Sequence, residues 1–211
     1  MKNNMSRIYT VGHSNVSLEE FYELLRLANI NCIIDVRSMP ASSYSPHFNK
    51  DSISLYLKAR NILYLHFGEE FGARRTDSIV DGQVNFEKAV TTTKFLRGYE
   101  RVLNGLEQGW NIALMCSEAN PVSCHRFSMI SRYFYDNGID VLHILHSKEV
   151  RGHLELEQEM IQSMLTKRNC KLPEVDLMFM TYSEEDQRQD AYRIKNLEIG
   201  YKPGESQECE D

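Results

Sequence analysis

Five short apolar runs limit what this chain can fold into: "RIYTVG", "CIIDVR", "ILYLHF", "NIALMC" and "DVLHIL". Each is rich in β-branched or aromatic residues and has the length of a buried strand. Amphipathic helical patterns separate several of them. In "SLEEFYELLRLANI" the period places Leu18, Phe21, Tyr22, Leu25 and Ala28 on one face, and Ser17 with Glu20 has the spacing of a capping box. A short helix is expected over "DSISLYLKAR". A longer one is expected over roughly 85–108, where Phe95, Tyr99, Val102, Leu103 and Leu106 share a face. Ser123 can cap a further helix over "CHRFSMISRYFYDNG", which Asn137-Gly138 ends. Strands alternating with helices imply an α/β fold with a mainly parallel five-stranded sheet flanked by helices.

After the fifth run the pattern changes. "GHLELEQEMIQSMLTKR" and "SEEDQRQDAYRIKNLE" read as two helices, and "GYKPGESQECED" as a polar, acidic end. The expected organisation is an α/β core over 1–150, a C-terminal helical extension packing on it over 151–200, and a flexible acidic tail over 201–211. The segment 68–84, rich in glycine and weakly periodic, reads as a loop or lid.

With 211 residues, 42% of them apolar, the chain can bury a sizeable core. The net charge of −6 supplies no global field for extended nucleic-acid contact. No run approaches the ~20 apolar residues of a membrane span, and the start lacks the apolar segment of an export signal. Five irregularly spaced cysteines then read as reduced thiols in a cytoplasmic protein. The sequence does not fix an oligomeric state.

In an open parallel sheet the carboxyl ends of the strands share one edge, where ligands bind. The runs end, in order, at His13, Ser14 and Asn15; at Asp35 and Arg37; at His66; at Cys116 and Glu118; and at His143 and His146. The densest stretch is "LMCSEANPVSCHRFSMI". Here Cys116 closes a strand, and Cys124, His125 and Arg126 are expected in the first turn of a helix, where unpaired N–H groups favour anions and lower a thiol pKa. Glu118 and His125 are candidate proton carriers. Arg37 and Arg126 are candidate anion forks, though Asp35 and Arg37 can equally pair with each other. His47, in a loop with Lys50, is a candidate ligand contact. Arg74 and Arg75 are a solvated pair or phosphate contacts. Cys32 and His143 read as core residues, and Cys170 and Cys209 carry no role. Cys116, Cys124 and His125, with His13 or His143 from another strand, could serve zinc, but closely spaced cysteine pairs are absent and adjacent residues on a helix point about 100° apart. No metal or other cofactor is therefore expected. A Cys116–Cys124 redox pair is a weaker alternative.

The segments "TVGHSN", "SLEEF", "IIDVRSMPASSYSPHFNK", "LMCSEANPVSCHR" and "DAYR" resemble, in order, the domain of unknown function 488 family, over about residues 7–200. The resemblance implies an α/β fold and a shared pocket, with motif positions at His13, Ser14, Asn15, Asp35, Arg37, Pro40, His47, Cys116, Glu118, Cys124, His125 and Arg126. Where the family often carries arginines before its Pro-His, this chain has "ASSYSPHF". "IIDVRS" followed by a strand ending in cysteine is also similar to rhodanese-like sulfurtransferases, whose anion loop is shorter. The combined expectation is a cysteine-dependent transferase or hydrolase. It would act on an anionic small molecule (a nucleotide or phosphate ester) or a nucleic-acid end. The alternatives are a non-catalytic ligand- or nucleic-acid-binding module, sulfur transfer, and a structural zinc site.

Overall fold

The computed structural model describes residues 6–166 and 182–204. Its strands are β1 (Arg7–Gly12), β2 (Cys32–Asp35), β3 (Leu63–His66), β4 (Ile79–Val80), β5 (Gln83–Val84), β6 (Ile112–Cys116), β7 (Asp140–Ile144) and β8 (Val150–Gly152). The five apolar runs are β1, β2, β3, β6 and β7, and all pair in parallel in the order β3-β2-β6-β1-β7. The sheet has one strand more than the runs provide, because β8 adds to β7 in antiparallel sense.

The helices are α1 (Leu18–Leu27), α2 (Lys50–Lys58), α3 (Gly68–Phe71), α4 (Phe86–Ala89), α5 (Thr93–Glu107), α6 (Arg132–Asp136), α7 (His153–Thr166) and α8 (Glu184–Ile199). Side chains alternate across the strands and meet a helix layer on each face. Ile8, Ile34 and Leu114 pack with Phe95, Val102 and Phe134 from α5 and α6. Val11, Ile33 and Met115 pack with Phe21, Leu25, Ile53 and Leu57 from α1 and α2. Chain therefore leaves β1 toward one face and leaves β6, its neighbour, toward the other. That is a topological switch point, where a crevice opens at the strand ends.

Local signals explain most element ends. Ser17 and Glu20 form the capping box of α1, and Gly138 takes φ 83° after α6. The helix expected over 85–108 is instead two. The Asn85 side chain caps α4, and Thr92, inside the Thr91–Thr93 run, accepts from Phe95 N to start α5. Ser123 caps nothing, because it ends a tight 3-10 turn, Pro121–Ser123. A π-helical turn, Arg126–Ser131, then leads directly into α6.

The 68–84 segment is not a free lid. Arg75 is buried and anchors it to Asp77, the Glu70 carbonyl and Thr92. Asp81 and Gly82, both at positive φ (50° and 81°), turn the β4–β5 hairpin as a type I′ turn requires. Gln83 Nε2 donates to the carbonyls of Asn196 (3.1 Å), Leu197 (3.1 Å) and Gly200 (2.8 Å), so the hairpin grips α8. Arg74 is exposed; its backbone N–H meets Ser38 Oγ and its guanidinium lies over Tyr201.

A third apolar cluster, including Phe127, Leu156, Met160 and Tyr192, joins α7 and α8 to the core. Beneath it runs a buried polar chain: Thr10–His143 (2.7 Å), His143–His153 (3.2 Å), His153–Tyr192 (3.0 Å) and Tyr192–Glu157 (2.6 Å). Arg188 closes it on Glu157 at 2.9 Å. Residues 205–211 of the expected tail, with Cys170 and Cys209, lie outside the described residues. No helix among the described residues is long and apolar enough to cross a membrane.

Candidate functional site

The crevice between the ends of β1 and β6 is stitched shut at its base. His13 N donates to Cys116 O (2.9 Å) and Ser14 N to Ser117 O (2.7 Å). Glycine is obligatory at position 12, since a Cβ there would sit 1.8 Å from Glu118 O. From β7, His146 Nε2 donates to Gly12 O at 2.7 Å. From β3, His66 Nε2 donates to Arg37 O at 2.8 Å. The ends of all five parallel strands thus meet on one rim.

Arg37 spends its fork inside the protein. Nε reaches Asp35 Oδ1 (2.9 Å), Nη2 reaches Asp35 Oδ2 (2.6 Å) and Phe48 O (2.8 Å), and Nη1 meets His13 Nε2 (3.0 Å). The Tyr64 hydroxyl donates to the same carboxylate at 2.6 Å. His13 Nδ1 lies 2.7 Å from Ser14 O, which only accepts. The proton is therefore on Nδ1, and Nε2 receives the Arg37 N–H. Burial and the Arg37 charge push the His13 pKa down to about 4, and its ring stacks on Phe48 at 4.2 Å. Arg37, Asp35 and His13 are thus a neutral strut rather than an open anion fork. Tyr64 and Phe48, which complete it, carry no chemical pattern in the sequence.

Ser14, at φ 47°, turns the chain out of the crevice. Asn15 is exposed and bonds to Tyr44 (3.2 Å) and Ser45 (3.3 Å), while His47 Nε2 donates to Val16 O (2.9 Å). These three shape the loops above the rim.

The thiols lie on the other wall. Cys124 is extended (φ −131°, ψ 144°) and precedes the helical turn rather than occupying it. Its sulfur accepts Arg126 N–H at 3.4 Å, the role that serine oxygens play at a helix N-terminus. Because Cys124 is not helical, the ~100° divergence of helical neighbours does not apply. His125 Nδ1 lies 3.7 Å from Cys124 Sγ and 3.8 Å from Cys116 Sγ. Glu118 is on an exposed loop, yet its Oε2 reaches within 2.8 Å of Cys124 Sγ. Arg126 is fully buried. It donates to the carbonyls of Glu118 (2.5 Å) and Ala119 (3.1 Å) and so fixes that loop.

A sulfur and a carboxylate oxygen this close share one proton. Burial and the neighbouring Cys124 charge raise the Glu118 pKa. Burial also opposes a Cys124 thiolate, but the hydrogen bond from Cys116 and the charges of Arg126 and His125 prevail and bring the thiol well down. Cys116, donating to that thiolate and buried, moves well up. Burial acts against charge on His125, but Cys124 and Glu118 outweigh it and raise its pKa. These shifts bring the Glu118 carboxyl and the Cys124 thiol toward each other, so the pair can exchange the proton between them. The same place offers a metal donor set, since Cys116, Cys124 and His125 present ligand atoms within 4.8 Å of one another.

A family model described as a domain of unknown function, DUF488, matches residues 17–133. The match contains Asp35, Arg37, His47 and the whole thiol cluster. His13, Ser14, Asn15 and Tyr192 lie outside it. No curated protein and no solved structure gives a significant match.

Proposed function

Since the chain belongs to the DUF488 family, whose description assigns no reaction, we propose from its geometry that it is a cysteine-dependent enzyme acting on a small anionic substrate. Candidate substrates are a phosphate ester, a nucleotide or a nucleic-acid end. One observation carries this reading: Cys124 Sγ sits between Glu118 Oε2 (2.8 Å), His125 Nδ1 (3.7 Å) and the Arg126 N–H (3.4 Å). Cys124 is the nucleophile, His125 the counter-charge that maintains the thiolate, and Glu118 the acid that protonates the leaving group. With Glu118 neutral, one thiolate faces an imidazolium and a guanidinium, so the site is net positive and favours an anionic partner. Cys124 is 1% exposed, so substrate enters as the exposed Glu118 side chain turns aside on its fixed loop. The three described cysteines are free thiols, as suits a cytoplasmic enzyme.

Limiting alkylation of the native protein at neutral pH tests the nucleophile. Cys124 should react at least tenfold faster than Cys32, whose thiol burial pushes up to about 11. Equal rates would remove the nucleophile. Iodoacetate, an anion, should gain on neutral iodoacetamide at Cys124 relative to a free thiol, and inorganic phosphate should slow both. A second reading rests on the Cys116–Cys124–His125 donor set, which suits a soft divalent ion. One equivalent of zinc in the purified protein, with Cys124 alkylated only after chelation, would favour it.

A further inference from the structure

Cys116 is not the attacking thiol, yet its sulfur lies beside that of Cys124. The two Sγ atoms lie within 4.8 Å of each other and share His125 Nδ1 at 3.8 and 3.7 Å. Both are buried, at 3% and 1% exposure, so a second protein reaches neither directly. We propose that Cys124 and Cys116 form a dithiol couple that reduces small hydroperoxides, with Cys124 attacked first and Cys116 resolving. This rests on Cys124 being the nucleophile proposed above and adds a second activity at the same site.

The step balances. Cys124–S⁻ attacks the terminal oxygen of ROOH, forming the S–O bond of Cys124–SOH as the O–O bond breaks. The departing RO⁻ takes the proton from Glu118, 2.8 Å from the sulfur. Sulfur is oxidised by two electrons and the peroxide is reduced to ROH. Cys116 then attacks the Cys124 sulfur. Its thiol proton leaves with the hydroxyl as water, by way of the Glu118 carboxylate, and the Cys116–Cys124 disulfide forms. A disulfide needs about 2.05 Å between sulfurs, so the two must close from a separation of up to 4.8 Å. That movement falls to Cys124, whose extended backbone precedes the helical turn rather than lying in it. An external dithiol returns the couple to its reduced state. Hydrogen peroxide and short alkyl hydroperoxides, smaller than the anionic substrates proposed above, need the least opening at Glu118 to reach the sulfur.

The experiment treats the reduced full chain with one equivalent of hydrogen peroxide, alkylates it in denaturant, and maps the cysteines by mass. The expected product is a Cys116–Cys124 link with Cys32 alkylated. Cys116→Ser should instead leave Cys124 as a sulfenic acid that dimedone captures, and Cys124→Ser should slow Cys116 oxidation at least tenfold. If wild-type Cys124 is oxidised but stops at sulfenic acid, or goes on in part to sulfinic acid, with Cys116 still a thiol, the couple is overturned and the nucleophile survives. If Cys124 resists both peroxide and iodoacetamide in the native protein, both proposals fail. The wild-type map decides the matter even where a serine variant folds poorly.

Discussion

Replacing His125 by glutamine removes the positive charge nearest the Cys124 sulfur while keeping a polar side chain of similar reach. The thiolate then keeps only Arg126 and the Cys116 hydrogen bond, so the Cys124 pKa should rise. The measurement is the pH dependence of iodoacetamide alkylation at Cys124. Its midpoint should move upward and the rate at neutral pH should fall; an unmoved midpoint would mean that His125 does not hold the thiolate. Gly12→Ala tests the other wall. A Cβ 1.8 Å from Glu118 O cannot be absorbed by a side-chain rotation, because the obstacle is backbone. The loop must shift, at a cost of ~3 kcal/mol in urea unfolding, and Cys124 alkylation should change with it. The chemistry of this site was legible in the sequence because cysteine, glutamate, histidine and arginine are rare together. Their roles were not. Arg37 read equally as an anion fork or as a partner of Asp35, and the pair is what forms, joined by His13 and Phe48 O. Arg126 read as an anion fork, whereas it is engaged by the carbonyls of 118 and 119, acceptors that no local pattern announces.

At the scale of elements, long apolar periodicity was reliable and short elements were not. The five central strands follow from runs buried on both faces. β8 and the β4–β5 hairpin have two or three residues each, too few for any alternation to register. The hairpin did leave one usable signal, the Asp81-Gly82 pair. The π-helical turn after His125 left none. It buries Arg126 through Ser131, and Arg126 Nε, Ser128 Oγ and Ser131 Oγ find no hydrogen-bond partner among the described residues. Such turns recur at functional sites, and this one carries Arg126 to the loop that presents Glu118. The hairpin's grip on α8 makes a direct prediction. Asn196 accepts from Phe86 N and donates to Val84 O, both at 2.7 Å. Asn196→Ala leaves two buried backbone groups without partners and should cost about 2–3 kcal/mol. Hydrogen exchange should show the loss first in α8 and in the amide of Phe86. Uniform loss across the central strands would mean that the hairpin and α8 do not open separately.

Over the whole molecule, the buried chain from Thr10 to Glu157 ties the sheet to both C-terminal helices, and its proton order is fixed. The Tyr192 hydroxyl gives its single proton to Glu157, so its oxygen must accept from His153 Nε2. His153 Nδ1 must then accept from His143 Nε2, and His143 Nδ1 from Thr10. Each imidazole is used as donor and acceptor and is therefore neutral. Burial and the Arg188 charge hold the His153 pKa down to about 3. Burial and the facing His153 hold His143 well below its usual range. His13, at about 4, behaves alike in the other network. The unfolded chain takes up these three protons near pH 6.5 and the folded chain refuses them. Stability is therefore complete above pH 6.5 and falls as pH drops toward 4, by about 1.4 kcal/mol per pH unit for each histidine. His125 has the opposite sign: its raised pKa stabilises the fold below pH 6.5, and that contribution is lost as pH rises through its folded value. Cys124, whose pKa is lowered, adds stability as pH rises over the same interval and offsets that loss. Urea unfolding between pH 5 and 6.5 should therefore trace the acid limb set by the three neutral histidines. His153→Gln, which retains a donor and an acceptor but does not titrate, should remove about 1.4 kcal/mol per pH unit from the acid limb. An acid limb of unchanged slope in that variant would show that His153 is already protonated in the fold, and the proton order from Thr10 to Glu157 would have to be redrawn.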